Sequence, residues 1–173
     1  MSSEEKILAT AFFLNTTPKF FKARREDLKS LFQVLLGASS VLNGRVRELI
    51  EKAWRITEEN PQLFEEITTR IELGAISPYA ADYLASNDAR RVYLKAEIGE
   101  FYKTHGVKVR GEMPDHIAPM LELLSLLLIK ELYLKSKGDT TGATRCKEDF
   151  EKLYKGYVKP LIENMKANLG SET

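Results

Sequence analysis

Five consecutive residues, Glu112-Met113-Pro114-Asp115-His116, carry the densest chemistry in this chain. Two carboxylates and an imidazole close together could serve acid–base catalysis, metal ligation, or capture of a guanidinium through charge-assisted hydrogen bonds. Catalysis has little else to draw on. Asp115 and His116 are neighbours at a helix start, where adjacent side chains diverge. Cys146 is the only cysteine, has no assigned base, and reads as a packing or surface residue on a helix. No GxSxG elbow occurs. Gly138-Asp139-Thr140-Thr141-Gly142 lacks the lysine of a P-loop and reads as a helix-to-helix turn. The chain therefore reads as no enzyme.

Metal binding fares no better. The histidines, His105 and His116, show no HExxH spacing, and a lone cysteine excludes a four-thiolate zinc site. No cofactor is expected. What remains is recognition: Glu112 and Asp115 form a small acidic patch suited to arginine. Local structure accounts for part of the cluster without any function. Pro114 at a helix start, and Glu112 and Asp115 as capping oxygens near a helix dipole, are ordinary features.

The element behind this cluster is the most apolar in the protein. Leu121, Leu123, Leu124, Leu126, Leu127, Leu128 and Ile129 crowd into one stretch, interrupted by Glu122 and Ser125. A helix apolar on nearly every side is enclosed by other helices or by lipid. The run is shorter than the roughly 20 residues a bilayer requires, so it reads as the central helix of a soluble core.

The rest of the chain repeats helical period. Ser3 is placed as the cap of a first helix with Ile7, Leu8, Ala11 and Phe12 on one face. Thr17 and Pro18 restart the chain as cap and first helical residue. Leu28, Leu31, Phe32 and Leu35 mark the next helix, and Asn43-Gly44 the turn that follows. Val46, Leu49, Ile50, Ala53 and Trp54 mark another. Leu63 to Ile71 form a short helix ending near Gly74. Ser77-Pro78-Tyr79 opens an irregular piece containing Tyr83 and Leu84. A helix capped by Ser86 or Asn87 carries Leu94, Ile98, Phe101 and Tyr102 and closes at His105-Gly106. A last long helix begins near Thr140 and buries Phe150, Leu153, Tyr154, Tyr157, Val158 and Leu161, with Pro160 kinking or splitting it. The expectation is an all-α protein, a single domain over 1–173 of about seven to nine helices. A hinge loop at 105–113 joins an N-terminal helical set to a C-terminal pair.

Net charge is +1, so no global field favours nucleic acid. The N-terminus lacks a basic region ahead of an apolar core, so it does not read as a secretory signal. No membrane insertion and a cytoplasmic location are expected. An acidic turn beside an apolar helix and Tyr79, Tyr83, Phe101 and Tyr102 suits a peptide with arginines followed by an apolar run. The other open reading is a non-catalytic helical adaptor.

These residues also carry a resemblance. Glu112-Met113-Pro114-Asp115-His116-Ile117, followed by Leu121-Glu122-Leu123-Leu124, resembles the E-x-P-D-H-[IL] … L-E-F-[ML] signature of the TorD/DmsD/NarJ family of redox enzyme maturation chaperones. Ser77-Pro78-Tyr79 with Tyr83, the stretch Phe101-Tyr102 through Gly106-Val107, and Phe150 through Leu161 resemble further family segments. The likeness runs from about Ser77 to Leu161. One departure is Leu123, where the signature has an aromatic residue. The resemblance implies a cytoplasmic, all-helical chaperone without turnover. It would bind the twin-arginine signal peptide, or an N-terminal remnant, of a molybdoenzyme catalytic-subunit precursor and hold it until the cofactor is inserted. It assigns binding to Glu112, Pro114, Asp115 and His116, with Asp115 or Glu112 facing the client arginines, and more weakly to Tyr79, Tyr83, Phe101 and Tyr102. Some relatives are associated with weak guanine nucleotide binding, and some form domain-swapped homodimers through the hinge.

Overall fold

The computed structural model describes residues 3–23, 25–39 and 44–170. The fold is all-α. In chain order the elements are α1 (Ser3–Thr16), a 3-10 turn (Thr17–Lys22), α2 (Arg25–Ser39), α3 (Gly44–Glu59), α4 (Pro61–Glu72), α5 (Ala80–Leu84), α6 (Asp88–Thr104), α7 (Ile117–Ser136), α8 (Thr140–Leu153), a π-helical turn (Tyr154–Val158) and α9 (Lys159–Gly170). The described residues contain no strand, only one isolated antiparallel bridge between Tyr79 and His116. No helix among them is long and apolar enough to cross a membrane.

The Leu-rich segment forms α7, the centre of the main core. Met120, Leu124 and Leu127 are wholly inaccessible. They pack with Leu94, Ile98 and Tyr102 of α6, Leu153 of α8, and Val158 and Leu161 beyond it. α1 lies across α7 and approaches closely because small residues meet there: Ser125 Oγ donates to the Ala11 carbonyl at 2.7 Å. A second, smaller core forms between α2 and α3 from Leu28, Phe32, Leu35 and Ile50. Its aromatic contacts run edge to face, with Phe32 5.1 Å from Trp54 and 5.0 Å from Phe20.

Several local expectations are corrected. Ser3 is already the first residue of α1. The buried face of α1 is Ala9 and Ala11, whereas Leu8 and Phe12 are about half exposed. Thr16, not Thr17, precedes the 3-10 turn, and it makes no side-chain cap bond. The Thr16 and Thr17 hydroxyls instead donate back to the Phe12 and Phe13 carbonyls, each at 2.9 Å, four residues earlier in the chain. Asn43 lies outside the described residues, and Gly44 begins α3. Tyr83 and Leu84 belong to a short helix, α5, rather than to an irregular segment.

Pro160 does split the last helix, by a device the sequence does not announce. Proline has no N–H, and its ring collides with the carbonyl four residues earlier. The chain widens into a π turn just before it, with Lys159 N–H bonding back to the Tyr154 carbonyl. The wider turn resets which side chains face inward. Leu153, Val158 and Leu161 are fully buried, while Tyr154, expected inside, is 39% exposed.

Leu124→Ala should cost about 2–5 kcal/mol, because it empties space in a close-packed interior. Val92→Ser, on the exposed side of α6, should change stability by less than about 0.5 kcal/mol. Urea unfolding followed by circular dichroism measures both.

Candidate functional site

The cluster that precedes α7 is a β-turn, not the first turn of a helix. His116 N–H donates to the Met113 carbonyl at 3.1 Å, which places Pro114 at the turn position its fixed φ suits. Gly111, just before, has φ 78°, a conformation that favours glycine. α7 then starts at Ile117, and its cap is His116: Nδ1 accepts from Ala118 N–H at 3.1 Å. That bond requires an unprotonated Nδ1. The capping oxygens expected from Glu112 and Asp115 are thus replaced by an imidazole nitrogen.

The turn is clasped to the segment that leads into α5. Ala80 N–H donates to the Asp115 carbonyl and Ile117 N–H to the Pro78 carbonyl, both at 2.9 Å. Asp115 adds a side-chain rung, its Oδ2 accepting from Ala81 N–H at 3.2 Å. The Tyr79 and His116 rings meet edge to face at 5.1 Å. Beneath the turn, the buried Tyr102 hydroxyl donates to the Pro114 carbonyl at 3.1 Å. Asp115 is completely buried, and its Oδ1 has no hydrogen-bond partner among the described residues. An unsatisfied buried acceptor costs about 1–3 kcal/mol, so the clasp is less stable than a fully bonded one.

The two carboxylates therefore part company. Asp115 points inward and fastens the turn. Glu112 is half-buried at the surface, where Oε2 accepts from the Tyr79 hydroxyl at 3.4 Å. Met113 beside it is 54% exposed. The electrostatics are acidic. Burial first, then the charges of Glu122 and Asp115, push the Tyr102 hydroxyl well above the ordinary tyrosine range. Burial, Glu112, Asp115 and Asp82 raise Tyr79 as well. Asp82 is neutralised by Arg91 at 2.8 Å. Glu112 and Glu122 carry no ion pair among the described residues.

The other aromatic candidates do not gather at the turn. The Tyr83 hydroxyl accepts from Ser77 N–H at 3.0 Å and from Asn168 Nδ2 at 3.3 Å, tying α5 to α9. Phe101 packs against Tyr157, ring centres 6.2 Å apart. His105 lies between Asp149 of α8, 3.0 Å from Nε2, and Lys130 of α7, 3.4 Å from Nδ1. Cys146 is buried, which pushes its thiol up and away from the reactive thiolate. Among the described residues no group of three or more His, Cys, Asp or Glu side chains could hold a metal ion.

The residues that sequence reasoning missed are Ala80 and Ala81, whose backbone amides form the clasp, and Glu122. Alanines have no chemistry to flag them. Glu122 reads as a mere interruption of a leucine run, although a carboxylate on an apolar helix marks the side that faces water.

Fold and site together define an all-α protein whose central helix is entered through a clasped acidic turn. The sequence pattern of the nitrate reductase delta subunit family matches residues 62–165, which spans the clasp, the turn and all of α7. The chain belongs to that family, one of non-catalytic chaperones for molybdoenzyme assembly. No curated protein and no solved structure matches the chain significantly.

Two predictions follow from the geometry. Asp115→Ala should lower unfolding free energy by about 1–3 kcal/mol, because Ala81 N–H loses its buried acceptor, whereas Glu112→Gln should leave the melting temperature within about 2 °C. For Tyr102 the folded state holds its proton more tightly than the unfolded chain does. Its contribution is complete below the ordinary tyrosine value near 10 and is lost as pH rises above it. Alkaline denaturation should therefore be shallower in Tyr102→Phe than in the wild type.

Proposed function

We propose that this chain is a cytoplasmic chaperone for assembly of a molybdenum-cofactor oxidoreductase. It binds the twin-arginine signal peptide, or an N-terminal remnant, of the catalytic-subunit precursor and holds it while the cofactor is inserted. Membership of a molybdoenzyme assembly family supports the general role. The single structural observation behind the peptide reading is the outward Glu112, unpaired by any cation among the described residues and held at a fixed position by the clasped turn. A fixed carboxylate presents two acceptor oxygens to a guanidinium without first having to be ordered. The exposed Met113 supplies an adaptable apolar contact next to it.

In this reading the four turn residues divide the work. Glu112 meets the arginine. Pro114 sets the turn, Asp115 fastens it to α5, and His116 ends it by capping α7. Tyr79 orients Glu112 through its hydroxyl. Loss of Asp115 or His116 then acts on the client through the shape of the turn rather than by direct contact.

Titration calorimetry with a synthetic peptide bearing two consecutive arginines and an apolar run tests this. The expected result is saturable, salt-sensitive binding, weakened about tenfold or more by Glu112→Gln and weakened again when the arginines become lysines, which cannot pair bidentately. Absence of binding by the folded wild-type chain would reject the peptide reading.

A further inference from the structure

Between two glycines with positive φ, Gly106 at 72° and Gly111 at 78°, runs a segment that belongs to no helix, Val107-Lys108-Val109-Arg110. Its burial alternates. Val107 and Val109 are half-buried against the main core, whereas Lys108 and Arg110 are exposed. That period of two is the mark of an extended chain. Its main chain is unpaired. Among the described residues, the N–H and C=O groups of residues 108–112 make no hydrogen bond, so water alone serves them. Extended backbone in that condition is what the edge of a β-sheet presents, and it is a template for another strand. There is space for one: a hollow of about 340 Å³ lies alongside, between the segment and Pro119, Glu122 and Leu126 of α7. The chain already pairs in this manner close by, where residues 115–117 bond to 78–80.

We infer that residues 107–110 are an edge to which a partner polypeptide adds a short β-strand, with acidic residues at alternate positions beside Lys108 and Arg110 and uncharged residues between them. Backbone pairing supplies the attachment, and charge selects the occupant. Lys108 and Arg110 share one face of the segment, and neither is in an ion pair among the described residues. Carboxylates directly across from them are favoured, and cations there are disfavoured. That rules against a second copy of this chain, because antiparallel pairing about Val109 sets Lys108 of each copy against Arg110 of the other. It rules equally against the arginine-bearing segment, so the inference is independent of the peptide reading above. Glu122, on the α7 wall of the same hollow, acts in the same direction. It repels a carboxylate aimed at the helix, which leaves the face of Lys108 and Arg110 for the acidic residues and Leu126 for the apolar ones. Four extended residues span about 13 Å, the length of a short strand.

The test uses the full chain and a fluorescent peptide of alternating glutamate and valine, whose anisotropy should show saturable binding. Two further peptides carry the same side chains, with N-methyl groups on one or the other alternate set of amides. A strand pairs with its neighbour through one edge, so one methylated peptide should lose affinity about tenfold or more and the other should bind as the parent does. Amide exchange at residues 108–112 should be rapid in the free chain and slowed by the parent peptide at alternate positions. Lys108→Glu with Arg110→Glu, both exposed so that folding survives, should weaken the parent peptide about tenfold. A peptide with lysine in place of glutamate should bind this variant and not the wild type, an exchange of preference that a merely structural effect does not produce. Circular dichroism melting verifies that the variant is folded. The proposal is overturned if the folded wild type does not bind the parent peptide, or if the two methylated peptides bind equally, whether well or poorly. It is overturned too if residues 108–112 already exchange slowly in the free chain, or if the folded variant does not take the lysine peptide.

Discussion

The structure depends on a clasp of three hydrogen bonds. Two are backbone rungs between residues 78–80 and 115–117, and the third is the Asp115 carboxylate on Ala81 N–H. Among the described residues, this is the one place where two chain segments pair side by side. The clasp joins the turn ahead of α7 to the segment that leads into α5, while the Tyr102 hydroxyl ties the same turn to α6. With it, the turn, the α7 cap and the beginning of α5 become one rigid piece. Asp115 is the costly member: a carboxylate taken wholly out of water, with one oxygen left unbonded. Such a group stays in place only where the surrounding structure over-determines it, and the packed α7 core directly behind it does so.

That arrangement changes the meaning of the acidic pair. Two carboxylates three positions apart suggest a joint binding patch. Folding assigns them opposite duties, one structural and one outward. The Tyr79 hydroxyl steadies Glu112 from the side, and the Tyr102 hydroxyl supports Pro114 from below. Tyrosines suit both posts, because each offers a large apolar body for the core and one polar atom for the turn. Under the proposed function, a turn held in this way places the Glu112 carboxylate without relying on a mobile loop, which would lower the ordering cost of capture.

Most of the fold was legible in the sequence, for identifiable reasons. The density of leucines between Leu121 and Ile129 could only mean a central helix, and the glycines at 106 and 138, with φ 72° and 77°, end helices where their position suggested. The turn was legible from Pro114 and its neighbours, and the family from the same residues. What was hidden depended on long-range geometry. Whether Asp115 faced in or out is decided by the Ala81 amide, thirty-four positions away. The outward turn of Leu8 and Phe12 is decided by the close approach of Ala11 to Ser125, which a helical wheel reads the other way because it ranks large apolar residues above alanine. The π turn ahead of Pro160 was likewise invisible, since proline signals only that a regular helix cannot continue.

Hydrogen exchange with and without an arginine-bearing client peptide tests the central claim most directly. In the free protein the amides of Ala80, Ala81 and Ile117 should exchange slowly, as buried and bonded groups do. Peptide should leave them slow and add protection at Tyr79 and at residues 111–113. Rapid exchange at Ala80, Ala81 and Ile117, or protection confined to the α2–α3 core while the turn is unaffected, would contradict the account.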